Sequence, residues 1–162
     1  MIFETERLLI RKLKTTDIEP FHEMQGNINV MRYTDSPAKT YDEDVIDLKR
    51  VINFYGKPNN EFWVWAVILK QDNTFLGTIA LIDKEEIGYR FLEKYWNNGY
   101  AYEAMLGLLD YCRELGLSHV IAEVILKNKA SEHIIKKAGF KVVKEYICKD
   151  LNLPERLYKL EL

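Results

Sequence analysis

The stretch W-N-N-G-Y-A-Y-E-A, Trp96–Ala104, sets two asparagines and a glycine between aromatic residues, directly before the most regular apolar pattern in the chain. That pattern, Ala101, Ala104, Met105, Leu108, Leu109, Cys112 and Leu115, recurs at helical spacing and stops at Gly116, a residue suited to a left-handed cap. A loop that opens a helix points several unpaired N–H groups in one direction, with the positive end of the helix dipole behind them. Gly99 lets the backbone approach a bulky ligand, and Asn97 and Asn98 are the non-glycine residues that best tolerate left-handed backbone angles. The ligand this predicts is a phosphate or pyrophosphate. The competing reading is a polar turn with a glycine for geometry. Neither common nucleotide loop is present, since the chain has no G-x-G-x-x-G and no G-x-x-x-x-G-K-S/T.

Upstream of the loop, F-W-V-W-A-V-I-L at Phe62–Leu69 and F-L-G-T-I-A-L-I at Phe75–Ile82 read as a hairpin joined at Q-D-N-T. A turn at Asp83–Glu85 leads into I-G-Y-R-F-L, Ile87–Leu92, completing a meander. Downstream, His119–Leu126 is apolar and β-branched, as expected of a strand buried on both faces. A helix separates it from Ile87–Leu92, so the two strands are expected to be parallel across a right-handed crossover. R-L-L-I-R-K-L at Arg7–Leu13 is a further strand. Thr16 with Glu19 and Thr40 with Glu43 have capping-box spacing and predict two early helices, the second ended by Gly56. A helix at Ala130–Ala138 ending at Gly139, and strands around Val142–Lys149 and Arg156–Leu162, complete the pattern. The fold class expected is α/β or α+β, a mixed sheet of about seven strands with about four helices, in a single domain over 1–162.

The chain has 162 residues with formal net charge -2, 48% apolar and 30% charged residues. That length buries a core without disulfides or structural metal. No global basic field is present to hold nucleic acid, and no apolar run approaches the roughly 18 residues of a membrane helix. The start, M-I-F-E-T-E-R, is not a signal peptide, so a cytoplasmic location is expected. Cys112 and Cys148 are expected to be reduced, and His22, His119 and His133 have no ligand spacing, so no metal is expected.

The run from Ile87 to Ala104, followed by the helix, the strand, N-K-A-S at Asn128–Ser131 and K-K-A-G-F at Lys136–Phe140, resembles the GNAT superfamily of acetyl-CoA-dependent N-acetyltransferases. Within it the chain looks most like the subgroup of ribosomal-protein N-terminal acetyltransferases and bacterial spermidine acetyltransferases. T-E-R-L-L-I-R-K-L at Thr5–Leu13 and V-M-R-Y at Val30–Tyr33 look like the same subgroup. The resemblance implies a mostly antiparallel sheet with a splayed parallel central pair, and acetyl-CoA as cosubstrate.

The family's pyrophosphate loop, Q/R-x-x-G-x-G/A, is matched by Trp96, Asn97, Asn98, Gly99, Tyr100 and Ala101, with tryptophan first and Asn97 where many relatives have glycine. By the same likeness Tyr89, Arg90 and Phe91 pair with the pantetheine arm, Asn128 contacts it, and Ser131 faces the sulfur. Many members carry a tyrosine one turn later as the acid, where this chain has Ile135. Each also has a plainer reading: sheet packing for Tyr89 and Phe91, a first-turn serine for Ser131.

Direct attack by an amine needs a base, for which Glu86 and Asp150 are the candidates and Tyr89 a possible relay. The acceptor expected is a small-molecule amine or a protein N-terminus, approaching past Met31–Pro37. Asp42, Glu43, Asp44 and Asp47 either attract that cation or complement a helix dipole, and Trp63 with Trp65 form either core or a substrate wall. No nucleic acid or membrane partner is expected, and the chain is a monomer or homodimer. Competing with the enzyme are an acyl-CoA-binding sensor without turnover, favoured by Ile135, and a phosphate-binding domain for another nucleotide.

Overall fold

The computed structural model describes Met1–Leu162. Its strands are β1 (Phe3–Glu4), β2 (Leu8–Lys12), β3 (Phe62–Leu69), β4 (Thr74–Ile82), β5 (Glu86–Phe91), β6 (His119–Ile125), β7 (Lys141–Cys148) and β8 (Leu153–Glu161). They form one sheet in the order β1-β2-β3-β4-β5-β6-β8-β7. Every neighbouring pair is antiparallel except β5 and β6. The helices are α1 (Ile18–Gln25), α2 (Ile28–Met31), α3 (Tyr41–Phe54), α4 (Tyr100–Glu114) and α5 (Lys129–Lys137). None is long and apolar enough to cross a membrane.

The sheet is covered on both faces. One core cluster joins Leu8, Trp65, Ile87 and Val120 of the sheet to Met105, Leu108 and Leu109 of α4 and Ile135 of α5. The other joins Ala66, Ile68 and Phe75 to Phe21 and Met24 of α1 and Leu48 and Val51 of α3. Each fully buried Leu or Met contributes about 1.5–3 kcal/mol, so the α4 stripe anchors the crossover firmly. Gly116 and Gly139 follow α4 and α5 with φ of 77° and 98°, as left-handed caps require.

Several expectations need correction. The strands number eight and the helices five: β1 is two residues long and α2 a single turn, both too short for periodicity to reveal. Thr40 and Glu43 form the expected capping box, but Thr16 does not cap α1. A 3-10 turn at Thr15–Asp17 intervenes, and Asp17 turns back to accept from Lys14 N–H and from Arg11. β6 is not buried evenly on both faces: Val120, Ala122 and Val124 are buried on one, while on the other Ile125 is buried, Ile121 half-buried and Glu123 exposed. The acids of α3 serve the fold: Asp44 accepts from Gln25 and meets His22, and Asp47 binds Lys39 and Arg50. Trp63 and Trp65 stack at 6.0 Å, and Trp65 is wholly buried, so the pair belongs to packing.

Candidate active site

The crossover from β5 through α4 to β6 builds the site. β5 and β6 share one bridge, Glu86 with Ile121, while β5 pairs with β4 along its full length. From Ile87 to Phe91 the edge of β5 facing β6 therefore lacks a strand ladder, and the two chains splay. Backbone polar groups left this way need partners of another kind. Their opening leads toward the N-terminus of α4.

At that end Asn97 and Gly99 have φ of 62° and 78°, the left-handed geometry read from their identity. Asn98 does not, and instead folds its side-chain amide onto the carbonyls of Tyr95 and Trp96. The first helical backbone bond is donated by Glu103 to Gly99, and the N–H groups of Asn97 through Tyr102 have no backbone acceptor. Six N–H groups at a helix N-terminus are thus left for other acceptors, an arrangement that suits a diphosphate. The Trp96 indole donates to the Phe91 carbonyl at 2.9 Å, tying the loop to the end of β5.

Sequence reasoning missed the brace behind this loop. Glu103 accepts from Thr5 Oγ1 at 2.5 Å, Arg7 N–H at 2.8 Å and Arg7 Nε at 2.6 Å. Arg7 also donates to the Asn98 carbonyl at 3.1 Å and lies 4.6 Å over the Tyr100 ring. Burial pushes the Glu103 carboxyl up, but the bonds from Thr5 and Arg7 outweigh it and hold the group below its ordinary range. The partners are nearly a hundred residues apart in sequence, so no local pattern could have joined them.

Across the opening, Tyr89 and Ser131 meet, hydroxyl to hydroxyl, at 2.8 Å. Burial raises the Tyr89 phenol to about 12, with the Ser131 bond opposing. Asn128 caps α5, its Oδ1 accepting from Ser131 N–H at 3.2 Å while its amide nitrogen has no protein partner. Ile135 is 1% exposed and belongs to the core. The Tyr89 and Ser131 hydroxyls are thus paired with each other, while the position of the later tyrosine is filled by a core isoleucine.

On the opposite face of the sheet Glu86, Gly88 and Arg90 alternate with Ile87, Tyr89 and Phe91. Burial raises the Glu86 carboxyl, and the like charges of Glu123, Asp83, Asp35 and Glu155 raise it further. Glu155 is raised by its own burial and by Glu123. Beside those two acids the Tyr146 hydroxyl is shut off from solvent without a hydrogen-bond partner, and burial, then Glu123, raises it. Asp150 lies elsewhere. It is exposed in the turn between β7 and β8, beyond the Glu155–Ile125 pair that ends β6. The structure brings Tyr89 and Ser131 together on one face of β5, sets Glu86 on the other face at the bridge to Ile121, and leaves Asp150 in the β7–β8 turn.

The family model described as Acetyltransferase (GNAT) domain matches residues 7–141. The chain belongs to the GNAT acetyltransferase family. It is an acetyltransferase, and its relatives agree. The uncharacterized N-acetyltransferase YnaD of Bacillus subtilis (strain 168) is 32% identical over 147 residues, covering 87% of this chain and 83% of that one. A GNAT acetyltransferase structure from Bacillus anthracis superposes with a TM-score of 0.86 at 27% identity, covering 98% of this chain and 97% of the other. Spermidine N-acetyltransferase from Vibrio cholerae, solved with CoA and spermine, has the same GNAT fold. Its TM-score is 0.81 at 20% identity, covering 96% of this chain and 95% of that one.

Proposed function

We propose that this GNAT protein transfers the acetyl group of acetyl-CoA to a primary amine by direct attack in a ternary complex. The observation that carries the reading is the single bridge between β5 and β6, which leaves a backbone-lined slot leading to the open N–H groups of α4. Acetyl-CoA supplies an activated thioester. The chain supplies everything else: Asn97–Ala101 hold the diphosphate, and Tyr89, Arg90 and Phe91 offer backbone groups to the pantetheine arm. Asn128 contributes its free amide nitrogen there, and Trp96 keeps the loop joined to β5.

An aliphatic ammonium must lose a proton before it attacks. Glu86 takes that role in this reading, because burial and its acidic neighbours raise its proton affinity above that of an ordinary carboxylate. The same acids draw a cation into the opening. Glu86 passes that first proton to water and takes the second amine proton as the C–N bond forms and the C–S bond breaks, while the leaving sulfur takes a proton from the Tyr89–Ser131 pair, which water then restores. Tyr89 holds that proton and Ser131 links it to the sulfur side. No covalent enzyme step is needed, and Cys112 is unsuited to one, being buried with its thiol raised to about 11 by burial.

The alternative of a binding module without turnover draws on Ile135 in place of the tyrosine. The deciding experiment follows CoA thiol release across a panel of alkylamines, polyamines, amino acids and N-terminal peptides. Amine-dependent release supports the transferase. Tight acetyl-CoA binding with no release from any amine supports the module.

A further inference from the structure

Arg90 stands out among the cations of the site because no carboxylate pairs with it. Its guanidinium donates to the Gln25 side-chain oxygen at 2.7 Å, a neutral partner. Gln25 is buried and is itself committed on its other side, its amide donating to Asp44 at 2.8 Å and Asp47 at 3.0 Å. These bonds fix the glutamine's orientation, so its oxygen is turned toward Arg90. Burial lowers the Arg90 pKa, with Asp35, Asp47 and Asp44 opposing from a distance that forms no ion pair. Arginine carries five donors in a planar fork, and the protein occupies one side of it.

Space lies next to this fork. A Cβ added to Gly88, two residues back on the same face of β5, would meet nothing within 4 Å. Beyond Gly88, at a further two residues, is Glu86. Glu86 and Arg90 are four strand residues apart, about 13 Å along the backbone, so a carboxylate and an unpaired guanidinium stand on either side of the open space at Gly88. Gly88 and Arg90 lie in the part of β5 that lacks a ladder to β6, so that space borders the slot where the reacting carbonyl would sit. The acidic end carries Glu86, Glu123 and Glu155, and the other end carries Arg90.

We propose that the acceptor is a zwitterion: an amine whose nitrogen enters beside Glu86 and whose carboxylate is received by the Arg90 guanidinium, with Gln25 as the positioning residue that holds the fork in place. This rests on the transferase reading above and narrows its acceptor to amino acids and related amino carboxylates. A carboxylate matches the planar fork with two parallel charge-assisted hydrogen bonds, which an alkyl group or a second ammonium cannot make. An ammonium in that place would instead meet a like charge.

The test compares chain-matched amines: glycine, β-alanine, 4-aminobutyrate and 6-aminohexanoate, each against the alkylamine and the diamine of the same length. Thiol release gives kcat/KM for each. In parallel, calorimetry on the CoA-loaded protein measures binding of the N-acetyl amino acids against the N-acetyl alkylamines, so the preference is read whatever the turnover. The expected result is a preference of about tenfold or more for the carboxylate at one best length. In Arg90→Met the ratio of carboxylated to plain amine falls to near one, while Arg90→Lys retains part of it. A wild-type ratio near one in both measurements overturns the proposal, as does a preference that survives in Arg90→Met. Alkylamine turnover without carboxylate preference would overturn this proposal alone. Loss of acetyl-CoA binding to the unmodified protein would instead sink the transferase reading beneath it.

Discussion

Replacing Glu103 by alanine probes the connection between the N-terminal strands and the loop before α4. The side chain accepts three hydrogen bonds, from Thr5 Oγ1 and from the backbone and side chain of Arg7, and Arg7 in turn holds the Asn98 carbonyl. A hydrogen bond to a charged group is worth about 1.5–3 kcal/mol when buried. Here the Glu103 side chain is 19% exposed and that of Arg7 43%, so solvent screening reduces the total loss to roughly 2 kcal/mol. For a protein of this size that corresponds to a melting temperature lower by about 4–8 °C. The freed Arg7 would also release Asn98 and Tyr100, so acetyl-CoA affinity measured by calorimetry should weaken by about three- to tenfold. Arg7→Ala should produce the same affinity loss, and the double variant little more, since neighbours in one network are non-additive. Unchanged acetyl-CoA affinity in both single variants, with the melting temperature lowered as expected, would refute the claim that this brace positions the loop.

Other substitutions test separate parts of the site. Gly99→Glu puts a side chain and a negative charge where φ is 78° and a diphosphate is expected, so acetyl-CoA affinity should fall by tenfold or more in a protein that still folds. Glu86→Gln should lower kcat/KM by about 10²–10⁴ and remove the acid limb of its pH profile, which in the unmodified protein lies above the ordinary carboxylate range because burial and Glu123 raise the group. Tyr89→Phe and Ser131→Ala should each lower kcat more than they weaken acetyl-CoA binding, since they act on the leaving sulfur; stopped-flow thiol release against calorimetry separates the two effects. Glu132 tests stability: bonds from Lys136, Tyr158 and Lys129 lower its carboxyl from 4.5 to about 2. Because the folded value is depressed, its contribution is present above pH 4.5 and is lost as pH falls through about 2. Glu132→Gln should therefore lower the melting temperature at pH 6 and make much less difference near pH 2.

The glycines and asparagines of the loop, the apolar stripe of α4 and the alternation of β3, β4 and β5 could all be read from the chain, because local backbone geometry and one-sided burial leave periodic signatures. The parallel β5–β6 pair followed from the helix between them. What short-range pattern could not supply was contact between distant residues. The two-residue β1 has no period, yet the segment following it delivers Arg7 to Glu103. Thr16 has the spacing of a cap but not the role, since Asp17 is drawn back by Arg11.

The same division runs through the site. Identity alone marked Asn97, Asn98 and Gly99 as residues for left-handed backbone, which Asn97 and Gly99 adopt, and Glu86 as a candidate base, while Ser131 was marked by the family likeness. Only folding could bring the Tyr89 hydroxyl to Ser131, crowd Glu123 and Glu155 near Glu86, and leave Arg90 with a glutamine in place of a carboxylate. Proton affinity and charge pairing depend on burial and on neighbours within a few ångströms. Those are set by how the sheet stacks its strands, and the linear order of residues does not contain them.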